Sequence, residues 1–224
     1  MSPLPGLGGS TSRYADRAAA GRALAEDLVR HGPFDRPVVL ALPRGGVPVA
    51  AEVAARLSAP LRLIVVRKIG APGRPELAMG ALALVGREPS LFRNESIVHG
   101  LSVSAATFEA AQASELVELR RRAKVFPAAE PVDLAGAVVI VVDDGLATGS
   151  TMLAAVAAVR AEHPAKVIAA APVGARGAVE ALRKVADAVV CPLIPPRFVA
   201  VGIAYTDFHQ LSDADVRAAL APRS

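Results

Sequence analysis

The sequence has no tryptophan, a single cysteine and 4% aromatic residues, and each shortage excludes something. Without large aromatic side chains the interior must be aliphatic, built chiefly from Ala, Val and Leu. Cys191 alone cannot form a disulfide framework or a cysteine zinc cluster, and one thiol suits a reducing cytoplasm. It reads as a small buried hydrophobe at a strand end rather than a nucleophile. The four histidines (His31, His99, His163 and His209) are dispersed, with no i,i+4 pair to suggest zinc. No apolar run approaches the roughly 20 residues that span a bilayer. The opening MSPLPGLGGSTS lacks the charged and apolar regions of a secretory signal, so residues 1–12 read as a flexible tail. The expectation is a cytoplasmic protein with no membrane partner. Neither G-x-x-x-x-G-K-[ST] nor G-x-G-x-x-G occurs, which removes most of the weight from triphosphate hydrolysis and dinucleotide binding.

What is present is a chain of 224 residues, 53% hydrophobic and 21% charged. That is enough to pack a core, and no composition break or repeat divides residues 13–224, so one domain is expected. The net charge of +4 and a pI near 9.7 favour anionic partners, a phosphorylated metabolite or a nucleic acid.

Apolar runs at 38–42, 61–66, 138–142, 166–173 and 188–193 are short and continuous, as strands buried on both faces are. Helical patterns separate them: 12–30 with Thr11 or Ser12 as cap, 47–57, 104–125, 151–161 and 175–185. A pair of strands is expected at 77–85 and 91–98, and a short helix capped by Ser212 near the end. Alternation of this kind predicts an α/β fold with a mostly parallel central sheet flanked by helices.

The chemistry concentrates where strands meet helices, the place where open α/β sheets bind ligands. VVIVV at 138–142 ends on Asp143 and Asp144. Gly145, Leu146, Ala147, Thr148, Gly149, Ser150 and Thr151 then lead into a helix. Hydroxyls and backbone N–H groups at a helix start suit a phosphate, and glycines let the chain approach it closely. Paired acids repel phosphate but accept hydrogen bonds from sugar hydroxyls, or hold magnesium through water. A ribose 5-phosphate satisfies both halves of the element.

VVIVVDDGLATGST resembles the phosphoribosyl pyrophosphate signature of type I phosphoribosyltransferases. LPRGG at 42–46 resembles their pyrophosphate loop. RKIGAPGRPE at 67–76 lies where the family has its flexible catalytic loop. PRGGVPVA, VRKIGAPGRPELAMGA and FVAVGIAYTDF, in that order, resemble a bacterial branch of the family, and the likeness covers roughly residues 13–221. It implies the family's fold, with a small hood built from terminal segments.

The resemblance also implies roles. The 5-phosphate would lie in the loop 147–151, and Asp143 and Asp144 would hold the ribose hydroxyls. Arg44, Gly45, Gly46 and Lys68 would bind pyrophosphate. Arg67 and Lys68 would be the loop's catalytic cations, with Lys68 meeting pyrophosphate in the transition state. Magnesium would travel mainly on the oxygens of phosphoribosyl pyrophosphate and on water, with no protein metal site. The family's pyrophosphate loop often holds a cis peptide, here Pro43–Arg44. Ala147 occupies the position where enzymes acting on 6-oxopurines tend to carry Asp, which argues for some other small nitrogenous acceptor. Phe198, Val199, Tyr205 and Asp207 are the acceptor-binding candidates, although Phe198 and Phe208 read equally well as core. Glu76 is either a salt-bridge partner or an active-site acid. The run Arg120–Lys124 is a solvated face or an anion contact. Relatives are often dimers, so a homodimer is implied. The leading expectation is a transferase that moves ribose 5-phosphate onto the acceptor and releases pyrophosphate. The other is a regulator that senses phosphoribosyl pyrophosphate and binds RNA or DNA, against which the intact Lys68 segment and the lack of a nucleic-acid-binding domain argue.

Overall fold

The computed structural model describes residues 14–85, 88–124 and 132–220. The expected N-terminal tail and the Thr11 or Ser12 cap lie outside them. The element order is α1 (Arg17–Val29), β1 (Pro37–Ala41), α2 (Gly46–Leu57), β2 (Leu61–Leu63), β3 (Val65–Ala71), β4 (Arg74–Leu84), β5 (Pro89–Arg93), α3 (Glu95–Gly100) and α4 (Ala105–Ala123). It continues with β6 (Val138–Val142), α5 (Ser150–Arg160), β7 (Lys166–Ala170), α6 (Arg176–Leu182), β8 (Ala188–Val190), a 3-10 turn (Val201–Ala204) and α7 (Asp213–Leu220).

Five strands form a sheet in the order β2-β1-β6-β7-β8, and every pairing in it is parallel. All five residues of β6 are buried, because both faces of this central strand are covered. Val139 and Val141 pack with Met152, Val156 and Leu182 on one side. Ile140 and Val142 pack with Val49, Val53 and Leu28 on the other. The period-2 alternation of a strand divides one apolar run between two cores. The register sets Ala41 beside Val142, so β1 and β6 end level. The chain after each leaves the sheet at the same edge.

The remaining strands, β3-β4-β5, form a separate antiparallel sheet with α4 and α3 against it around Ile69, Met79, Leu82, Phe108 and Leu119. This second sheet departs from the sequence reading in three places. The run at 61–66 divides: β2 joins the parallel sheet, and from Val65 the chain enters the antiparallel one. The stretch 67–76, expected as a loop, supplies the facing strands β3 and β4, with Lys68 opposite Ala81. Its alternation explains this, since Ile69 and Ala71 are buried while Gly70 between them is half-exposed, as are Arg67 and Lys68 before them. A tight turn at Gly73, with φ of +67°, closes the hairpin. The strand expected at 91–98 ends at Arg93, because the Asn94 side chain accepts from the Ile97 amide at 3.3 Å and caps α3.

The first helix starts at Arg17 rather than Ser12, capped by Asp16, whose carboxylate accepts from the Ala19 amide at 2.7 Å. Ser212 caps α7 as expected: its hydroxyl accepts from the Asp215 amide, and Asp215 accepts in return from the Ser212 amide at 2.8 Å. The two terminal stretches meet. Tyr14 donates its amide to Ala204 at 2.7 Å, and the Thr206 amide returns to the Tyr14 carbonyl at 2.7 Å.

Candidate functional site

Asp143 and Asp144 follow β6 directly, beside the chain leaving β1. The Asp143 carboxylate turns back to accept from the Asp144 amide at 2.8 Å. Burial, and then the neighbouring Asp144 carboxylate, push the Asp143 carboxyl well above the usual carboxylate range. Burial also raises Asp144, opposed by Arg17. Arg17 donates through Nε to Asp144 Oδ2 at 2.8 Å, and Tyr205 donates its hydroxyl to the Asp144 carbonyl at 2.5 Å.

Beyond the acids, Leu146 is buried and its amide bonds to Val173 at 2.9 Å, which pins the loop. Gly145 is pressed against Val201: a Cβ there would lie 2.7 Å from Val201 Cγ2. Ala147, Thr148 and Thr151 are exposed and Ser150 is half-buried. Gly149 takes the left-handed conformation, φ of 72°, at the cap of α5, which has no side-chain cap. Thr148 and Ser150 hydroxyls lie 3.0 Å apart. A hydroxyl-lined loop, in which Thr148 accepts from the Ser150 amide at 3.3 Å, thus precedes a three-turn helix whose N-terminus favours a phosphate.

The loop after β1 lies against the acids. The Leu42 amide bonds to Val142 at 2.9 Å, and the Gly46 amide returns to Leu42 at 3.0 Å. The Pro43–Arg44 peptide is cis, as the resemblance implied. Gly45 and Gly46 fit where no larger residue does. A Cβ on Gly45 would stand 2.8 Å from Asp144 Oδ1 and closer still to Oδ2, and one on Gly46 would stand 2.6 Å from the Val142 carbonyl oxygen. Arg44 reaches toward α7, with Nη1 3.2 Å from the Leu211 carbonyl oxygen and Nη2 3.0 Å from Asp213 Oδ1.

A cavity of about 960 Å³ opens between this loop, the first turn of α5 and the β3–β4 hairpin. Arg44, Arg67, Lys68, Ser150 and Thr151 line it, while Asp143 and Asp144 lie outside its lining. Arg67 bonds to Glu115 of α4 at 2.6 Å, and both side chains are about one-quarter exposed (25% and 26%). The sequence placed Arg67 as a mobile catalytic cation; here it ties the hairpin to α4. Arg121 and Arg122 also line the cavity, so the basic run 120–124 is not wholly a solvated face. Both bond to Glu118, at 2.7 and 2.9 Å, and together they hold its carboxyl at about 2.

A model of the phosphoribosyl transferase domain family matches residues 10–206. The chain belongs to this family. It is 44% identical over 208 residues to the "Putative phosphoribosyl transferase" of Mycobacterium tuberculosis, covering 92% of this chain and 46% of that one, with the same figures in both strains compared. The chain therefore spans about half the length of the curated relatives it matches. Among solved structures, TT1426 from Thermus thermophilus is 42% identical with a TM-score of 0.82, covering 93% of this chain and 97% of that one. The AQ2163 protein of Aquifex aeolicus, 12% identical with a TM-score of 0.50, covers 83% of this chain and 78% of its own and shares the fold.

Of the acceptor candidates in this family member, Phe198 is half-buried and Val199 is 77% exposed. Tyr205 is 3% exposed and its hydroxyl is committed to Asp144, so it supports the acids from below instead of facing an acceptor. Asp207 is exposed and bonds to His209 at 2.9 Å, a surface pair turned to its own segment. Phe208 stacks on Tyr205, ring centroids 4.9 Å apart. Glu76 lies in β4, with its side chain outside the described part. Among the described residues, no group of three or more His, Cys, Asp or Glu side chains could hold a metal, and no helix is long and apolar enough to cross a membrane. Burial pushes the Cys191 thiol up to about 12, so it stays protonated.

Sequence reasoning missed Arg17. With the helix expected from residue 12, Arg17 read as an ordinary second-turn residue; only the observed start of α1 puts it at the first position, where the macrodipole favours anions. Such a residue is placed for a partner elsewhere.

Proposed function

We propose that the chain transfers ribose 5-phosphate from phosphoribosyl pyrophosphate to a small nitrogenous acceptor other than a 6-oxopurine, releasing pyrophosphate. One observation carries this reading: the glycine loop after β1 packs directly on the acid pair after β6, with no room for a side chain between Gly45 and Asp144. A diol held by Asp143 and Asp144 then lies one residue's width from a loop suited to pyrophosphate. The anomeric carbon, between ribose and leaving group, falls at the junction. The exposed loop 147–151 takes the 5-phosphate on the third side.

Arg44, Gly45, Gly46 and Lys68 hold the pyrophosphate as the bond to carbon breaks, which favours a transition state with charge on the departing oxygen. Positive charge developing on the ribose ring parallels that of glycoside cleavage. Magnesium would arrive on substrate oxygens, since Asp144 is engaged by Arg17 and Asp143 by a backbone amide. The chemistry it would supply is neutralisation of charge on the leaving group. Ala147 offers no carboxylate to an acceptor ring. Phe198 and Val199 supply an apolar surface beside Val201, which abuts Gly145.

The test is an assay of pyrophosphate release from phosphoribosyl pyrophosphate, magnesium and a panel of heterocyclic bases and amines. Turnover with at least one acceptor, abolished by Asp144→Asn, is expected. Tight binding without turnover, joined to salt-sensitive RNA binding, would instead establish a regulator.

A further inference from the structure

Arg17 is the one charged side chain counted in the buried set of the described residues, at 8% exposure. Three contacts hold it. Nε donates to Asp144 Oδ2 at 2.8 Å, and Nη1 donates to the His209 carbonyl at 3.0 Å. The guanidinium carbon lies 3.9 Å from the centroid of the Phe208 ring. The platform is itself fixed, because Phe208 stacks on Tyr205 and the hydroxyl of Tyr205 bonds to the Asp144 carbonyl. Backbone bonds from Tyr14 to Ala204, Thr206 to Tyr14 and Asp207 to Ala15 lace the start of α1 to the same segment.

We infer that Arg17 is a positioning residue of the ribose site: it grips Asp144 by Oδ2 and leaves Oδ1 as the oxygen that accepts a ribose hydroxyl. This rests on the proposed phosphoribosyl pyrophosphate site. An ionised carboxylate only accepts and does so strongly, whereas a protonated one turns one oxygen into a donor and accepts more weakly. Asp144 is poorly placed to stay ionised by itself. Burial works against its charge, and Asp143 adjoins it. The other ionisable groups around it are the Tyr205 phenol, with Tyr14 behind it, and His209 on the segment that anchors Arg17. Arg44, next to Gly45, is directed to Asp213. Arg17 is the cation that bonds Asp144 directly, so it favours the ionised acid against burial and fixes its orientation.

Titration calorimetry of phosphoribosyl pyrophosphate with magnesium into the full chain tests this, for wild type, Arg17→Met, Arg17→Lys and Asp144→Asn from about pH 6 to about pH 8.5. Phosphate groups of the ligand titrate in the same range, so the quantity read is the ratio of wild-type to variant affinity at each pH. Losing Arg17 lets Asp144 take a proton at higher pH. The ratio for Arg17→Met should therefore grow toward acid, by about tenfold for each pKa unit gained. Arg17→Lys, a point charge without the fork, should show the same trend with a smaller rise. For Asp144→Asn the ratio should be large and should not grow toward acid. Circular dichroism checks that each variant is folded, and Arg17→Lys alone decides the matter if Arg17→Met is not. Flat ratios in the folded Arg17 variants overturn the inference and leave the proposed function standing. A wild type that takes up no phosphoribosyl pyrophosphate overturns the proposed function, and the inference with it.

Discussion

Gly45 and Asp144 occupy one space: a Cβ on Gly45 would lie 2.8 Å from Asp144 Oδ1 and closer to Oδ2. The loop that follows β1 and the acids that follow β6 are therefore parts of a single packed unit. Gly45→Ala must displace one of them. The expected result is a stability loss of about 1–3 kcal/mol in chemical denaturation. Affinity for phosphoribosyl pyrophosphate should fall by more than about tenfold, as about 1.4 kcal/mol of lost fit predicts. An alanine variant with wild-type affinity would mean that the loop and the acids do not share a ligand.

The two acids should respond differently to neutralisation. The folded-state pKa of Asp143 lies above its unfolded value, so the folded protein binds more protons between the two values. Stability is lost as pH rises through that window. Asp143→Asn keeps an oxygen for the Asp144 amide and removes this cost. It should raise the thermal midpoint at neutral pH, with the gain vanishing in acid below the ordinary carboxylate range. Asp144→Asn strips the buried Arg17 of its countercharge and should lower the midpoint. Both should abolish pyrophosphate release.

Lys68 and Arg67 are neighbours to which the proposed function gives separate tasks. Lys68→Ala should slow turnover by about 10–100-fold, the cost of losing a cation that acts on developing charge. Affinity for phosphoribosyl pyrophosphate should stay within about threefold of wild type, as an interaction made only in the transition state requires. Arg67→Gln frees Glu115 and loosens the hairpin from α4. A double-mutant cycle with Glu115→Gln should find a coupling of about 1 kcal/mol in stability.

Val199 is exposed enough that Val199→Asp should alter stability by no more than about 0.5 kcal/mol. If the segment 198–203 receives the acceptor, steady-state kinetics should show a higher acceptor KM with unchanged affinity for phosphoribosyl pyrophosphate. An unchanged KM would move the acceptor to another wall.

The parallel sheet was legible in the sequence because each of its strands is a short continuous apolar run, and the acid pair because two adjacent carboxylates ending such a run, followed by a loop of glycines and hydroxyls, suit a ribose phosphate. The antiparallel sheet was less so. Residues 67–76 contain two glycines, two prolines and four charges, which read as a loop, while the burial of Ile69 and Ala71 depends on α4 packing from elsewhere in the chain. Arg67 looked catalytic because its partner, Glu115, lies 48 residues away. Tyr205 looked like an acceptor contact for the same reason: its hydroxyl answers to Asp144, a partner that composition and spacing do not disclose.

That last bond sets an order of assembly on the ribosome. Tyr205 is synthesised 61 residues after Asp144, and at about 5–20 residues per second the interval is several seconds. During it, β1 and β6 are already available to pair, yet Asp144 has neither the Tyr205 hydroxyl nor the Phe208 ring that seats Arg17. The nascent chain can build its central sheet first, and the surroundings of Asp144 are complete only once the segment carrying Tyr205, Phe208 and His209 is made.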